Sequence, residues 1–288
     1  AYEITTRLVG SEMCIRDGCY TVYNPEANIG EQYYKMNKKK LFWGVTFIVA
    51  VIVCVICGYK IISYFLSDGG NSAEYINPET ETNAATLVNT VENHNINWVK
   101  LQEKNSDVYS WIYIPNTNVD YPVVQPGKNL SDDFYLNHNV NRENEFAGAI
   151  YTEKQNAKDY SDPVTVLYGH NMLNGSMFKS LHKFEDAKFF KKNKYIYIYM
   201  PNHRLTYKIY AAYVYDDRHI LNAFKLSDKK VLKKYFEYTT NPNSLSKNIR
   251  KVSLDINSKI ITLSTCTNGA ENTRYLVQGV LIKDEQTN

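Results

Sequence analysis

An uninterrupted apolar run at residues 41–59, LFWGVTFIVAVIVCVICGY, constrains this chain more than any other feature. It holds no charged residue, and at 1.5 Å per residue it spans roughly 28 Å as a helix, about the thickness of a bilayer's hydrocarbon core. Lys38, Lys39 and Lys40 stand directly before it. Basic residues flanking a span favour the cytoplasmic side, so the residues after the run are expected outside the cell. Lys60 interrupts the run, but at a helix end its ammonium can snorkel to the interface, and residues 61–66 can extend the anchor. A cleaved signal peptide is the competing reading. Its apolar region is usually shorter, and no small-x-small cleavage site follows here.

The anchor divides the rest. Met36-Asn-Lys-Lys-Lys ahead of an apolar run is how a signal-anchored protein would begin. Residues 1–35 read as a non-native or disordered leader. SEMCIRD at residues 11–17 resembles translated adapter sequence, so the leader is set aside in reasoning about the fold. The expected order is then a cytoplasmic basic segment (36–40), a transmembrane anchor (41–66), a polar linker (67–83) and one exported domain (84–288). The formal net charge is +3, from 33 Lys+Arg against 30 Asp+Glu. That balance is too even to make nucleic acid or an anionic surface the main partner.

The exported domain reads as mainly β. A helix is expected over 84–103. Strands are expected over 111–114, 121–124, 149–152, 164–168, 195–200, 205–215, 259–265 and 274–282, short β-rich runs separated by turn residues. Eight strands at this spacing favour a closed or nearly closed barrel. Helical insertions are expected over 176–184 and 228–238, the second with Asp228 as N-cap and Val231, Leu232, Tyr235 and Phe236 on one face. This helix lies in a long connection between strands, residues 216–258. Connections of that length in a compact domain are usually functional, and substrate recognition is the role we attach to it.

Cysteine usage narrows the chemistry. Cys14 and Cys19 fall in the leader, and Cys54 and Cys57 fall inside the apolar run. There a CxxC spacing reads as two small apolar residues in lipid, not as a redox pair. Cys266 is the sole cysteine of the exported part, hence a free thiol, and an inert core cysteine is the plain alternative. Cys266 ends the run Ile260-Ile-Thr-Leu-Ser-Thr-Cys, and Arg274 opens the next strand after a turn-rich stretch. Paired strands would place the thiol and guanidinium at one sheet end, about 4.8 Å apart strand to strand. His170 likewise follows the strand at 164–168, and strand ends project side chains into a shared rim. His94, His138, His182, His203 and His219 lie in polar or helical contexts with no paired metal spacing. Free thiols ionise near pH 8.5, so a nucleophilic Cys needs a cationic neighbour, and His can protonate a leaving amine. One Cys, one His and one Arg suffice for thioester chemistry. No cofactor or metal is expected, because no carboxylate cluster of the kind Ca²⁺ needs is present.

These elements resemble a sortase, the cysteine transpeptidases that attach proteins to the wall of Gram-positive bacteria. TLSTC at residues 262–266 with Arg274 eight residues on carries the resemblance. Trp111-Ile-Tyr-Ile-Pro, Val119-Asp-Tyr-Pro-Val-Val-Gln, Phe134-Tyr-Leu, Gly148-Ala-Ile-Tyr, Leu167-Tyr-Gly-His-Asn-Met and Gly175-Ser-Met-Phe point to class B. The similarity runs in order from about residue 84 to 282. It implies an eight-stranded sortase-like β-barrel with an N-terminal helix and a helix between the sixth and seventh barrel strands. It also implies that Cys266 attacks the Thr carbonyl of a C-terminal sorting motif, NPxTN-like or (S/N)PxTG-like. His170 then serves as general acid and base, and Arg274 binds the motif backbone or the oxyanion. Leu136, Ser264 and Thr265 match positions near the substrate groove. The thioacyl-enzyme is resolved by an amine of peptidoglycan, or of a pilin lysine in a polymerising role. One departure stands out: some class B members carry acidic residues directly after the cysteine, where this chain has Thr267 and Asn268. Other wall-processing enzymes fit less well. Papain-like hydrolases place Cys before His, and L,D-transpeptidases use a Ser-x-Gly-Cys-x-Arg type motif. The alternative from another class is an inactive, sortase-like surface binding or scaffold protein.

Overall fold

A computed structural model of the chain describes residues 37–67, 69, 94, 96–269 and 272–287 in full, and within 7–36 the backbone of three short strands and of a helix start. Two compact units emerge, residues 1–62 and 63–288. In the first, Arg7–Val9, Glu12–Ile15 and Gly18–Thr21 form an antiparallel ribbon, followed by helix α1 (Pro25–Leu66). Within α1, the 30 residues Asn37–Leu66 are long and apolar enough to cross a membrane. Their large side chains face outward, Phe47 at 70% exposure and Leu66 at 76%. Such a surface is stable only against an apolar solvent.

In the second unit, nine strands build one sheet: β1 (Val108–Tyr113), β2 (Asp120–Val124), β3 (Ile150–Tyr151), β4 (Val164–Tyr168), β5 (Tyr195–Met200), β6 (His203–Asp216), β7 (Lys247–Ile249), β8 (Ile260–Cys266) and β9 (Thr273–Gln286). Eight of them close into a barrel in the order β6-β9-β8-β4-β3-β2-β1-β5, with β5 returning to β6. The ninth, β7, adds to β6 beyond the reach of β5, pairing Ala211–Tyr213 while β5 pairs His203–Lys208. The expectation of eight barrel strands holds. The extra strand was missed because three residues, Lys-Asn-Ile, show no period of their own.

Two pairings set the geometry of the rim. β8 runs parallel to β4, with Ser264 opposite Tyr168, and antiparallel to β9, with Cys266 opposite Arg274. The ends of β4 and β8 and the start of β9 therefore share one rim. The barrel interior is filled by Ile112, Val123, Ile150, Leu167, Ile196, Ile198, Ile261, Leu263 and Val277, all at 1% exposure or less. The outer face of β4, β6, β8 and β9 is covered by α5 (Lys229–Thr240) through Leu232, Tyr235 and Phe236. As a result β8 is buried on both faces up to Thr265 and carries no charged residue, with Thr262, Ser264 and Thr265 among the buried side chains.

The helices differ from expectation in extent. α2 covers Trp98–Lys104 only, because Asn97 caps it by accepting from the Lys100 N–H at 3.0 Å and Ile96 is already packed in the core. The expected stretch 84–93 lies outside the described residues. The helical insertion expected over 176–184 is a 3₁₀ helix at Lys179–Glu185 continued by α3 (Ala187–Lys192), which Asp186 caps. In the long connection, the short α4 (Ile220–Ala223) precedes α5, whose N-cap is Asp228 as expected.

Candidate active site

Cys266 is the last residue of β8 and exposed, whereas the six preceding residues of the strand are buried. The ladder carries the thiol out of the core and leaves it at the rim. Directly across the antiparallel pair, Arg274 Nη1 donates to Cys266 Sγ at 3.4 Å. The guanidinium is rigid, cationic and turned toward the sulfur, a placement suited to negative charge on sulfur or on an oxygen bound to a neighbouring carbon.

His170 follows β4, and its chain stays on the ladder for one further bond, Gly169 N–H to Ser264 O at 3.2 Å. Gly169 admits no side chain: a Cβ there would stand 2.5 Å from Ile150 Cδ1 and 2.7 Å from Phe178 Cδ2. The His170 ring stacks on Phe146, centroids 5.4 Å apart, and its Nε2 donates to the Leu136 carbonyl at 2.8 Å. That bond places the proton on Nε2 in the neutral ring and leaves Nδ1 as an acceptor. Burial lowers the His170 pKa below the usual 6.5; the Leu136 bond raises it in part, and the Arg274 charge lowers it further. Among the described residues no hydrogen bond joins the imidazole to Sγ.

The Leu136 carbonyl is itself fixed. Leu136 ends the 3₁₀ turn Phe134–Leu136, and Ala149 N–H donates to Tyr135 O at 2.9 Å. Beneath, the Tyr135 hydroxyl donates to Asp107 Oδ2 at 2.7 Å, and Arg142 pairs with the same oxygen at 2.8 Å. Gly148 crosses this turn at φ 60°, where a Cβ would meet Leu136 O and Tyr135 O at 2.5 Å.

A groove of about 230 Å³ runs past these groups. It holds all six residues singled out in the sequence, Leu136, His170, Ser264, Thr265, Cys266 and Arg274. Ser264 and Thr265 are nearly buried, and the Thr265 hydroxyl has no hydrogen-bond partner among the described residues. The far wall comes from the start of the long connection, Asp217 to Ile220. Helix α5 is not part of it; its residues cover the barrel instead. His219 caps α4 by accepting from the Asn222 N–H at 3.2 Å, and its Nε2 meets Glu153 Oε1 at 2.7 Å. Glu153, His219 and Phe146 carried no sequence signal: their partners lie far off along the chain, 66 residues in the case of Glu153 and His219. Among the described residues no group of three or more His, Cys, Asp or Glu side chains converges as a metal site does.

A sequence model described as the Sortase domain matches residues 112–282, more than half of the chain. The chain belongs to the sortase family. It is 30% identical over 184 residues to Sortase B of Listeria monocytogenes, covering 63% of this chain and 72% of that protein. To Sortase B of Staphylococcus aureus it is 26% identical over 251 residues, covering 85% of this chain and 99% of that protein. The crystal structure of Clostridium perfringens sortase B superposes with a TM-score of 0.58 at 34% identity, over 64% of this chain and 99% of that one. This sortase is therefore of class B, a cysteine transpeptidase built on the closed eight-stranded barrel.

Proposed function

We propose that this sortase cleaves a C-terminal sorting motif after its Thr and joins the protein to a cell-wall amine, with Cys266 as nucleophile. The observation that carries the reading is the meeting of three strand ends on one rim: sulfur and guanidinium 3.4 Å apart in register, and the His170 ring lining the same groove. Cys266 gives its proton to His170 Nδ1 and attacks the Thr carbonyl carbon. The oxyanion forms beside the Arg274 guanidinium. Collapse breaks the Thr–X amide, and the leaving amine takes the proton from His170. An amine of a peptidoglycan stem or cross-bridge then attacks the thioacyl carbon. His170 accepts its proton and returns it to the departing sulfur. Hydrogen bonds of this kind tighten in the loaded enzyme, so the unliganded spacing of His170 and Cys266 is compatible with the path. Leu136, Ser264 and Thr265 hold the motif from one wall of the groove, and Asp217 to Ile220 hold it from the other. Helix α1 tethers the enzyme in the cell membrane, with residues 36–40 inside and the barrel outside; Lys38, Lys39 and Lys40 support this orientation.

Fluorescent peptides bearing Asn-Pro-x-Thr and Ser-Pro-x-Thr motifs, offered with and without an added amine, test the proposal. Cleavage after Thr that requires Cys266 and captures the amine supports it. No turnover, with a thiol inert to alkylation, supports a barrel that binds without catalysing.

A further inference from the structure

The carbonyl oxygen of Cys266 receives two side chains that the reaction above does not use. Asn171 Nδ2 donates to it at 3.0 Å, and His182 Nε2 lies 3.0 Å away. The other ring nitrogen of His182, Nδ1, stands 2.6 Å from Glu185 Oε1. The His182 side chain is only 8% exposed and stacks on Tyr275, with centroids 4.9 Å apart and planes 23° apart. Tyr275 follows Arg274 on β9, so the ring sits directly behind the pair of strand ends.

A carbonyl and a carboxylate both accept and neither donates. The His182 ring makes both bonds only with a proton on each nitrogen, as an imidazolium whose counter-ion is Glu185. The other titratable groups facing this cluster are Tyr275, whose phenol is pushed up by burial and then by the Glu185 charge, and Lys179. Lys179 Nζ donates to Asn268 Oδ1 at 2.7 Å, the same oxygen that receives Asn171 Nδ2 at 3.0 Å. Both partners of Asn171 Nδ2 are acceptors, which fixes the orientation of its amide. Stacking alone would satisfy a structural histidine; two acceptors converging on its two nitrogens ask for more.

We propose that His182, held doubly protonated by Glu185, is a positioning residue that sets the Cys266 peptide and thereby aims Sγ at Arg274. The sheet ladder ends at Cys266; beyond it the Thr267 N–H donates to Thr273 O at 3.4 Å, and the two threonine hydroxyls pair. The plane of the Cys266–Thr267 peptide is the freedom left at such an end: it sets ψ of Cys266 and so the backbone against which that side chain takes its rotamer. Two donors on its carbonyl, one of them charged, remove that freedom from behind. Asn171 brings the grip from the chain next to His170, so the two reacting side chains are tied through one carbonyl.

This inference rests on Cys266 being the nucleophile. The test uses the full chain in detergent micelles, assaying peptide transfer alongside thermal midpoints for His182→Phe, His182→Gln, Glu185→Gln and Cys266→Ala. His182→Phe keeps the stack but donates nothing, and is expected to lower kcat by up to about 100-fold with KM little changed. His182→Gln, whose amide can still reach the carbonyl, restores part of that loss. In ¹⁵N-histidine-labelled unmutated enzyme, His182 shows two protected N–H resonances, and Glu185→Gln removes the one on Nδ1. A single protonated nitrogen on His182, or wild-type kcat in a folded His182→Phe, overturns the proposal. Turnover by Cys266→Ala would instead overturn the nucleophile assignment. If Cys266→Ala is inactive and His182→Phe is unaffected, only the positioning role falls. Should His182→Phe not fold, the spectrum of the unmutated enzyme decides.

Discussion

His170 carries the pH signature of the site. Burial, opposed in part by the Leu136 carbonyl and reinforced by Arg274, holds its folded pKa below 6.5. The neutral ring is thus favoured in the folded state. The stability this provides is present above the unfolded value near 6.5 and is lost as pH falls through the lower folded value. The acid limb of kcat/KM is accordingly expected below pH 6.5. NMR titration of the His170 ring in Arg274→Gln should show its midpoint moved upward, since a lowering charge is gone; an unchanged or lower midpoint counts against the geometry. Gly148 makes a separate prediction. Ala at φ 60°, with its Cβ against Tyr135 O and Leu136 O, costs about 1–3 kcal/mol and displaces the carbonyl that holds His170. Both the melting temperature and kcat should fall, whereas a wild-type kcat would show the turn to be unimportant. Cys266 and Arg274 were legible in the sequence because consecutive antiparallel strands put neighbours in register across a turn. His170 was legible as the polar end of an apolar strand. His182 and Asn171 were not, since they reach Cys266 over 84 and 95 residues and obey no period.

The elements themselves were largely visible as β-rich runs, and the expected strands at 164–168 and 195–200 match β4 and β5 at both ends. The strands β6 and β9 are longer than expected, 14 residues each, because their far ends pair outside the apolar stretch. The 3₁₀ turn and the split of the insertion into α4 and α5 depend on local caps and on packing against the barrel, which apolar spacing does not encode. How α5 is held shows the point. Gln278 on β9 is fully buried; it meets Tyr213 at 3.2 Å, donates to Thr262 Oγ1 at 2.9 Å and donates to Tyr235 on α5 at 3.3 Å. Gln278→Ala leaves these groups unpaired beneath α5 and should cost about 3 kcal/mol, read as a lower denaturation midpoint. Gln278 does not line the groove, so kcat of the folded fraction is expected to stay near wild type. A large loss of kcat without loss of stability would contradict that separation.

At the scale of the molecule, closure of the barrel is what brings chemistry together. Parallel β4 and β8 deliver His170 and Cys266 to one rim, and antiparallel β9 returns Arg274 to it. The helix Asn37–Leu66 is long and apolar enough to cross a membrane, and its proposed role is that of an anchor. Deleting residues 41–66 should move the protein from the membrane to the soluble fraction while peptide cleavage persists; loss of cleavage in a folded, soluble barrel would give the helix a role in catalysis. The most direct measurement is intact-protein mass spectrometry of the enzyme incubated with a sorting-motif peptide in the absence of an acceptor amine. The account predicts an adduct carrying the peptide up to its Thr, mapped to Cys266, that an added amine discharges. An enzyme that cleaves the peptide with no adduct on Cys266, or forms one elsewhere, would contradict it.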